Sequence, residues 1–221
     1  MRDRKELSVC EPYYSGVILR AGGVWCAITG MTHPPYYWLQ QDYLEYSHIL
    51  RIIDWWRPKK VLEIGYGAGG SALCLRLLLP NATIVHVDIV DFIRFPDFKN
   101  ESVRYGHKVA KWLLQQGNWY FIAGDSTDPT IVRRLSMWFG LFDVLIIDGN
   151  HHSYFVKTDY RLYSSIVRVG GLIIFHDSRR DTQQKGRIEV REALDELGLK
   201  GFDIDNRKVP SPGLFWTIHR L

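Results

Sequence analysis

The chain has 221 residues, 46% of them hydrophobic and 24% charged, with a formal net charge of +4 and three cysteines. That length suits one large domain. The balance is that of a globular chain, not of a disordered, collagen-like or disulfide-stapled one. The basic residues are scattered, and no aromatic-interleaved basic stripe marks a nucleic-acid partner. No apolar run approaches the ~18 residues of a membrane span. The opening residues Met1–Glu6 lack the apolar stretch of a signal peptide, so a cytoplasmic setting is expected. Oligomeric state is left open, with a homo-oligomer allowed.

The first 58 residues read as a cap laid against the rest of the same domain. Gly16–Leu19 and Val24–Ile28 flank Arg20–Gly23 and are expected to form a hairpin. Thr32–Tyr37, with Pro34 and Pro35, reads as a loop. Asp42–Trp56 reads as a helix whose apolar face carries Leu44, Ile49, Ile52, Ile53 and Trp56. The aromatics Tyr13, Tyr14, Trp25, Tyr36, Tyr37 and Trp38 are candidates for a substrate pocket, and equally for cap-on-core packing.

From Lys59 onward, residues 59–221, short β-branched runs alternate with amphipathic stretches. Val61–Ile64, Thr83–Val87, Trp119–Ile122, Val144–Ile147 and Leu172–Phe175 read as buried strands. Ser71–Leu79, Ser102–Gln116, Pro129–Phe139, Tyr154–Val167 and Arg187–Leu197 read as helices. Such alternation predicts an α/β fold, a three-layer doubly wound and mostly parallel sheet. Phe202–Asp205 and Leu214–His219 follow with no helix between them, so they are expected to pair antiparallel at one sheet edge. Arg179, Arg180, Lys185, Arg187 and Arg191 form the densest basic cluster and read as a solvated loop and helix face.

Gly65, Gly67 and Gly70 satisfy GxGxxG between a strand and a helix, and Asp88 ends the next strand. Glycines let the backbone approach a ligand, and an acidic residue at that spacing bonds ribose hydroxyls. The pattern alone fits a nicotinamide dinucleotide as well. Charge separates the two: Glu63, Asp88 and Asp125 line one edge with carboxylates, which repel a pyrophosphate and attract a sulfonium or ammonium. Each carboxylate is also a possible helix cap, Asp125 above all, since Ser126 and Thr127 follow it.

A second constellation lies at the ends of strands four and five. Asp148 is followed by Gly149, Asn150, His151 and His152, and His176 is followed by Asp177. Adjacent strands lie about 4.8 Å apart, so Asp148, His176 and Asp177 converge at the sheet edge where ligands bind in open α/β folds. Two carboxylates and an imidazole can hold a divalent cation. The oxygen ligands favour Mg²⁺ or Mn²⁺, and the imidazole leaves Fe²⁺ or Zn²⁺ open.

Glu63-Ile64-Gly65-Tyr66-Gly67, Asp88, Gly124-Asp125-Ser126 and the terminal strand pair together resemble the class I S-adenosylmethionine-dependent methyltransferases. The resemblance implies a seven-stranded sheet of order 3-2-1-4-5-7-6 with strand seven antiparallel. It implies that Glu63, Gly65, Gly67 and Gly69 hold the methionine part, that Asp88 holds the ribose, and that Asp125 and Ser126 lie by the adenine, with Asp148 also at the cofactor. Asp148-Gly149-Asn150-His151 and His176-Asp177, with Tyr37–Asp42 upstream, are similar to the cephalosporin hydroxylase-like and rhamnosyl O-methyltransferase group. That likeness implies S-adenosyl-L-methionine and a divalent cation as cofactors, with Asp148 and Asp177 as its ligands, to which the converging strand ends add His176. It implies His151 as the base, with His152 as the backup, in O-methylation of a small-molecule or sugar hydroxyl. His176 departs from the glutamate that group carries there. The rival readings are an NAD-dependent Rossmann oxidoreductase, a non-catalytic cofactor-binding protein of the same fold, and a methyltransferase that needs no metal.

Overall fold

The computed structural model describes residues 11–35, 38–39, 43–94, 99–179, 185–204 and 213–220. Seven strands form one sheet: β1 Lys60–Ile64, β2 Thr83–Asp88, β3 Trp119–Ala123, β4 Phe142–Ile147, β5 Val167–Phe175, β6 Phe202–Ile204 and β7 Leu214–Ile218. Their order is β3-β2-β1-β4-β5-β7-β6. The first five pair in parallel, and β7 runs antiparallel between β5 and β6. Fold class and strand order are those expected.

Successive strand residues face opposite layers, because the side-chain period of a strand is two. Val61, Ile84, Val144, Ile146 and Ile174 join one core. Leu62, Val85, Leu145, Ile147 and Phe175 join the other. Helices α1 Glu11–Thr29, α2 Tyr43–Trp56, α3 Gly70–Leu78 and α4 Glu101–Gln115 cover the first face. Helices α5 Pro129–Phe139, α6 Ser153–Tyr163 and α7 Val190–Glu196 cover the second. Asn100 and Asp128 cap α4 and α5 by accepting the N–H of Val103 and Thr130.

Three expectations are corrected. The stretch 16–28 is not a hairpin but the body of α1. Tyr14, Val17, Ile18, Ala21 and Trp25 recur at helical spacing and are all buried. A helical glycine costs about 1 kcal/mol against alanine, and burial of that apolar face outweighs it. Gly22 in addition lets α1 approach Pro34 and Trp38, which a Cβ would meet at 3.4 Å. The helix expected over Tyr154–Val167 stops at Tyr163, a 3-10 turn covers Ser164–Ile166, and Val167 already pairs with Phe142 in the sheet. Likewise α7 begins at Val190, not Arg187. Tyr36, Tyr37, Asp42, Arg180 and the loop between β6 and β7 lie outside the described residues, as do the side chains of Tyr13 and Leu44.

The N-terminal helices brace the glycine loop from behind. Trp25 Nε1 donates to the Ala68 carbonyl at 3.2 Å, and the Tyr46 hydroxyl donates to the Ser71 carbonyl at 3.2 Å. A Cβ on Gly70 would overlap the Trp38 carbonyl, so this glycine serves the close passage of the N-terminal segment over α3.

Candidate active site

Hydrogen bonds continue past the strand ends and set the site residues side by side. Gly65 N–H donates to Val87 O at 2.8 Å, Asp148 N–H to Ile64 O at 3.0 Å, and His176 N–H to Ile147 O at 3.2 Å. Above them opens a cavity of about 580 Å³ lined by Gly65, Tyr66, Gly67, Asp88, Ile89, Gly124, Asp125, Ser126, Asp148, Gly149, Asn150, His151, Phe155 and Asp177, among others. Among the described residues its walls hold four aspartates, one histidine and neither lysine nor arginine. That electrostatic surface suits a cationic ligand and opposes a pyrophosphate.

Most of the expected cofactor residues meet here. Asp88 accepts the N–H groups of Tyr66 and Val90, each at 2.9 Å, which fixes the carboxylate at the end of β2. Gly65 has φ +100, and a Cβ on it would overlap the Asp148 carbonyl oxygen. Asp125 lines the cavity and also accepts from the Thr127 N–H and hydroxyl at 2.9 and 2.7 Å, so it is both wall and turn-former. Gly69 does not reach the cavity. It sits at φ +85 as the N-cap of α3, where a Cβ would press on the Tyr66 ring and Val109.

Glu63 is the main displaced expectation. It faces the core on β1, 1% exposed, and accepts from the Ser71 hydroxyl at 3.1 Å. Burial, reinforced by the charge of Asp148, pushes its carboxyl well above the usual range, and it is not among the residues that line the cavity. Period two decides this: Ile64, next along β1, points into the layer that borders the cavity, and Glu63 points the other way. The carboxylates that line the cavity are Asp88, Asp125, Asp148 and Asp177.

Beside Glu63 lies His86, fully buried, its Nδ1 3.2 Å from Glu63 Oε2 and its ring against Tyr66 and Trp119. Burial lowers its pKa to about 4. An unfolded histidine titrates near 6.5. Between those values only the unfolded chain takes the proton, so this stability is present above pH ~6.5 and lost as pH falls towards about 4. The loss amounts to about 3 kcal/mol. Urea unfolding of the wild type and of His86→Gln at pH 7 and pH 4.5 should show a shallower acid loss in the variant.

Four side chains converge at the other end of the cavity. Asp148, His151, His176 and Asp177 each place a ligating atom within 4.8 Å of the others. His151 Nε2 lies 2.7 Å from Asp177 Oδ2 and 3.5 Å from Asp148 Oδ1, and His176 Nδ1 lies 3.2 Å from each of those oxygens. Asp177 sits at φ +54, a left-handed conformation that aspartate tolerates better than most residues and that turns its carboxylate back to the cluster. Burial opposes ionisation of the two aspartates, but the imidazoles prevail. They hold Asp148 down at about 2 and Asp177 lower still. Burial likewise opposes charging of the histidines, and the carboxylates override it, raising His151 to about 9 and His176 well above its usual value.

The residues fit a divalent cation. His151 Nε2 and His176 Nδ1 are both buried, and neither meets the aspartates with hydrogen-bond geometry. Two deprotonated carboxylates facing imidazole nitrogens are a donor set in which a cation replaces the imidazolium protons. His152 is not part of it. It sits at the N-cap of α6 with its side chain 44% exposed, turned towards Glu189.

Three features were beyond the sequence reading. Ile89 and Phe155 add apolar walls to the cavity, and only their place after Asp88 and after the His151-His152 pair hinted at it. Glu45 of α2 reaches His176, for which the sequence carries no signal. Asp159, one turn after Phe155, is fully buried behind Ser126 and Gly149. Burial raises its pKa to about 7, with the neighbouring Ser126 opposing that rise. The folded chain therefore holds a proton that the unfolded chain has lost, and stability falls as pH rises from about 3.9 through 7. Asp159→Asn should stabilise the fold at pH 8 by about 2 kcal/mol, with the gain shrinking as pH drops towards 4. Paired thermal melts at pH 8 and pH 5 read this directly.

A sheet of this order, with β7 antiparallel and a glycine loop after β1, is the architecture of the class I methyltransferases. Residues 62–178 match the family model described as a methyltransferase domain, more than half of the chain, and the chain belongs to that family. It is 26% identical over 125 residues to mycinamicin VI 2''-O-methyltransferase of Micromonospora griseorubida, covering 53% of this chain and 27% of that protein. The chain thus spans about a quarter of the length of that curated relative. The crystal structure of an S-adenosylhomocysteine-bound methyltransferase of Podospora anserina matches with a TM-score of 0.62 at 15% identity, over 100% of this chain and 98% of that one. The MycE methyltransferase of the mycinamycin pathway, solved with Mg, S-adenosylhomocysteine and mycinamycin VI, matches with a TM-score of 0.51 at 21% identity, over 78% of this chain and 48% of that one. No helix among the described residues is long and apolar enough to cross a membrane.

Proposed function

We propose that this chain is an O-methyltransferase. In this reading it binds S-adenosylmethionine in the carboxylate-lined cavity and uses a divalent cation held by Asp148, His176 and Asp177. The observation that carries the reading is the meeting of two features in one cavity: the glycine loop with Asp88, and the four-residue ligating cluster. S-adenosylmethionine supplies an electrophilic methyl group on a sulfonium. Gly65 and Gly67 let the loop backbone close on the methionine part, Asp88 takes the ribose hydroxyls, and Ile89, Ser126 and Phe155 border the adenine. A bound divalent cation would supply positive charge that acidifies a neighbouring hydroxyl.

His151 lines the cavity and is the base in this scheme, since a cation on Asp148 and Asp177 would offset the negative charge that raises its pKa to about 9 in its absence. Its Nε2 faces the same edge as Asp148 and Asp177, so an acceptor hydroxyl seated there lies within its reach. The walls hold donor and acceptor in line, which supplies most of the acceleration. The acceptor is a hydroxyl of a small molecule or sugar, with a vicinal diol favoured because two oxygens can share the cation. The relative named for a 2''-O-methylation supports that class.

Isothermal titration with S-adenosylhomocysteine and with NAD tests the cofactor. Binding of the first and not the second is expected, and the reverse would remove the reading. Methyl transfer to a panel of glycosylated hydroxyl acceptors should require Mg²⁺ or Mn²⁺ and vanish with a chelator. Chelator-resistant transfer would retain the methyltransferase and discard the cation.

A further inference from the structure

The cluster at the ends of β4 and β5 has an outer partner contributed by the N-terminal region. Glu45 of α2 is 2% exposed. Its Oε1 lies 3.2 Å from His176 Nε2, and its Oε2 accepts the Gly213 N–H at 3.1 Å. The Gly213 carbonyl in turn accepts the Ser178 N–H at 3.0 Å, two residues beyond His176. One buried carboxylate therefore ties α2 to both chain segments that flank the site on the β5–β7 side. His176 is itself 3% exposed and stands between Glu45 and the two aspartates, with Nε2 towards the first and Nδ1 towards the second.

We propose that Glu45 is a positioning residue that holds His176 as a cation ligand through Nδ1, with the ring proton kept on Nε2. This rests on the cation reading above. A neutral imidazole has one N–H and one lone pair. A cation seated beside Asp148 and Asp177 would take the lone pair of Nδ1, which leaves the ring's one N–H on Nε2, 3.2 Å from Glu45 Oε1, an atom that can only accept. Carboxylate partners of this kind fix the tautomer and ring orientation of ligating histidines and raise their basicity. The carboxylate–imidazole pair also brings negative charge to the ligand set indirectly, so His176 is not simply a neutral ligand. An imidazole in the set ranks Mn²⁺, Fe²⁺ and Zn²⁺ above Mg²⁺ in intrinsic affinity. The N-terminal region thereby completes the site, since Glu45 comes from α2.

The test has two arms on the full chain. In the first, Mn²⁺ affinity is measured by titration calorimetry and by electron paramagnetic resonance for wild type, Glu45→Gln, His176→Ala and the double variant. Glu45→Gln should weaken Mn²⁺ about 10–100-fold. The double variant should bind no more weakly than His176→Ala alone, because Glu45 acts only through the imidazole. Equal affinity of wild type and Glu45→Gln, or losses that simply add, would overturn the proposal while leaving the cation site intact. A wild type that binds no divalent cation would overturn the cation reading and this proposal with it. The second arm needs no variant. Long-range ¹⁵N–¹H correlation on the Zn²⁺-loaded protein reads the His176 tautomer directly. A proton on Nε2 is expected, and a proton on Nδ1 would overturn the assignment even if Glu45→Gln failed to fold.

Discussion

His151→Ala is expected to lower kcat by about 10²–10⁴-fold at saturating cation while leaving S-adenosylhomocysteine affinity within a few fold. His151 lines the cavity with its side chain 29% exposed, where an acceptor can reach it, whereas His176 is sealed in the core. Its Nε2 lies 2.7 Å from Asp177 Oδ2, a charge-pair contact that orients the ring before an acceptor enters. The cofactor's contacts lie on the Gly65 loop, Asp88 and Ser126, so affinity for it should survive the loss of this ring. Steady-state kinetics with the acceptor that the wild type methylates, paired with calorimetry, separates the two effects. Unchanged turnover would remove His151 as the base. His152→Ala, by contrast, should change turnover by less than about 3-fold, because that ring stands at the helix N-cap facing Glu189.

Gly65→Ala should be the most damaging single change to the framework. The residue sits at φ +100, where an L side chain is strained, and its Cβ would overlap the Asp148 carbonyl oxygen and lie 2.9 Å from the carbonyl carbon. Backbone on both sides is hydrogen-bonded, through Gly65 N–H to Val87 and Asp148 N–H to Ile64, so neither strand end can yield cheaply. Strain of about 1–3 kcal/mol combines with overpacking of about 1–3 kcal/mol. Loss of S-adenosylhomocysteine binding together with a fall in melting temperature is expected. Calorimetry and a thermal scan check the two parts. Wild-type affinity in this variant would show that the loop does not close on the cofactor where the cavity places it. Gly23→Ala is the control, since nothing lies within 4 Å of a Cβ there.

The alternation of buried β-branched runs with amphipathic helices was legible because it is local. A strand buried on both faces must be apolar along its length, and a helix packed on it must repeat every three to four residues. Once the alternation is known, topology alone brings the carboxyl ends of β1, β2, β4 and β5 to one edge. Gly65, Asp88, Asp148, His176 and Asp177 could therefore be grouped before any side chain was placed. Where propensity and packing disagreed, the sequence reading followed propensity. Gly22 and Gly23 within Arg20–Gly23 argued for a turn, but the apolar face of Tyr14, Val17, Ile18, Ala21 and Trp25 against α3 and α4 made a helix.

By itself, then, the sequence determined the mostly parallel sheet and the edge on which chemistry-bearing residues gather, since these follow from periodicity and chain direction, while the strand order came from the resemblance of its motifs to the class I methyltransferases. Only the tertiary structure decided which of them face the cavity. One residue along a strand reverses a side chain, which sends Glu63 into the core. One residue at a helix start separates His151 in the cavity from His152 at the surface. Glu45 reaches His176 through a contact between segments far apart in the chain, a pairing set by how α2 packs on the sheet and written in no local pattern.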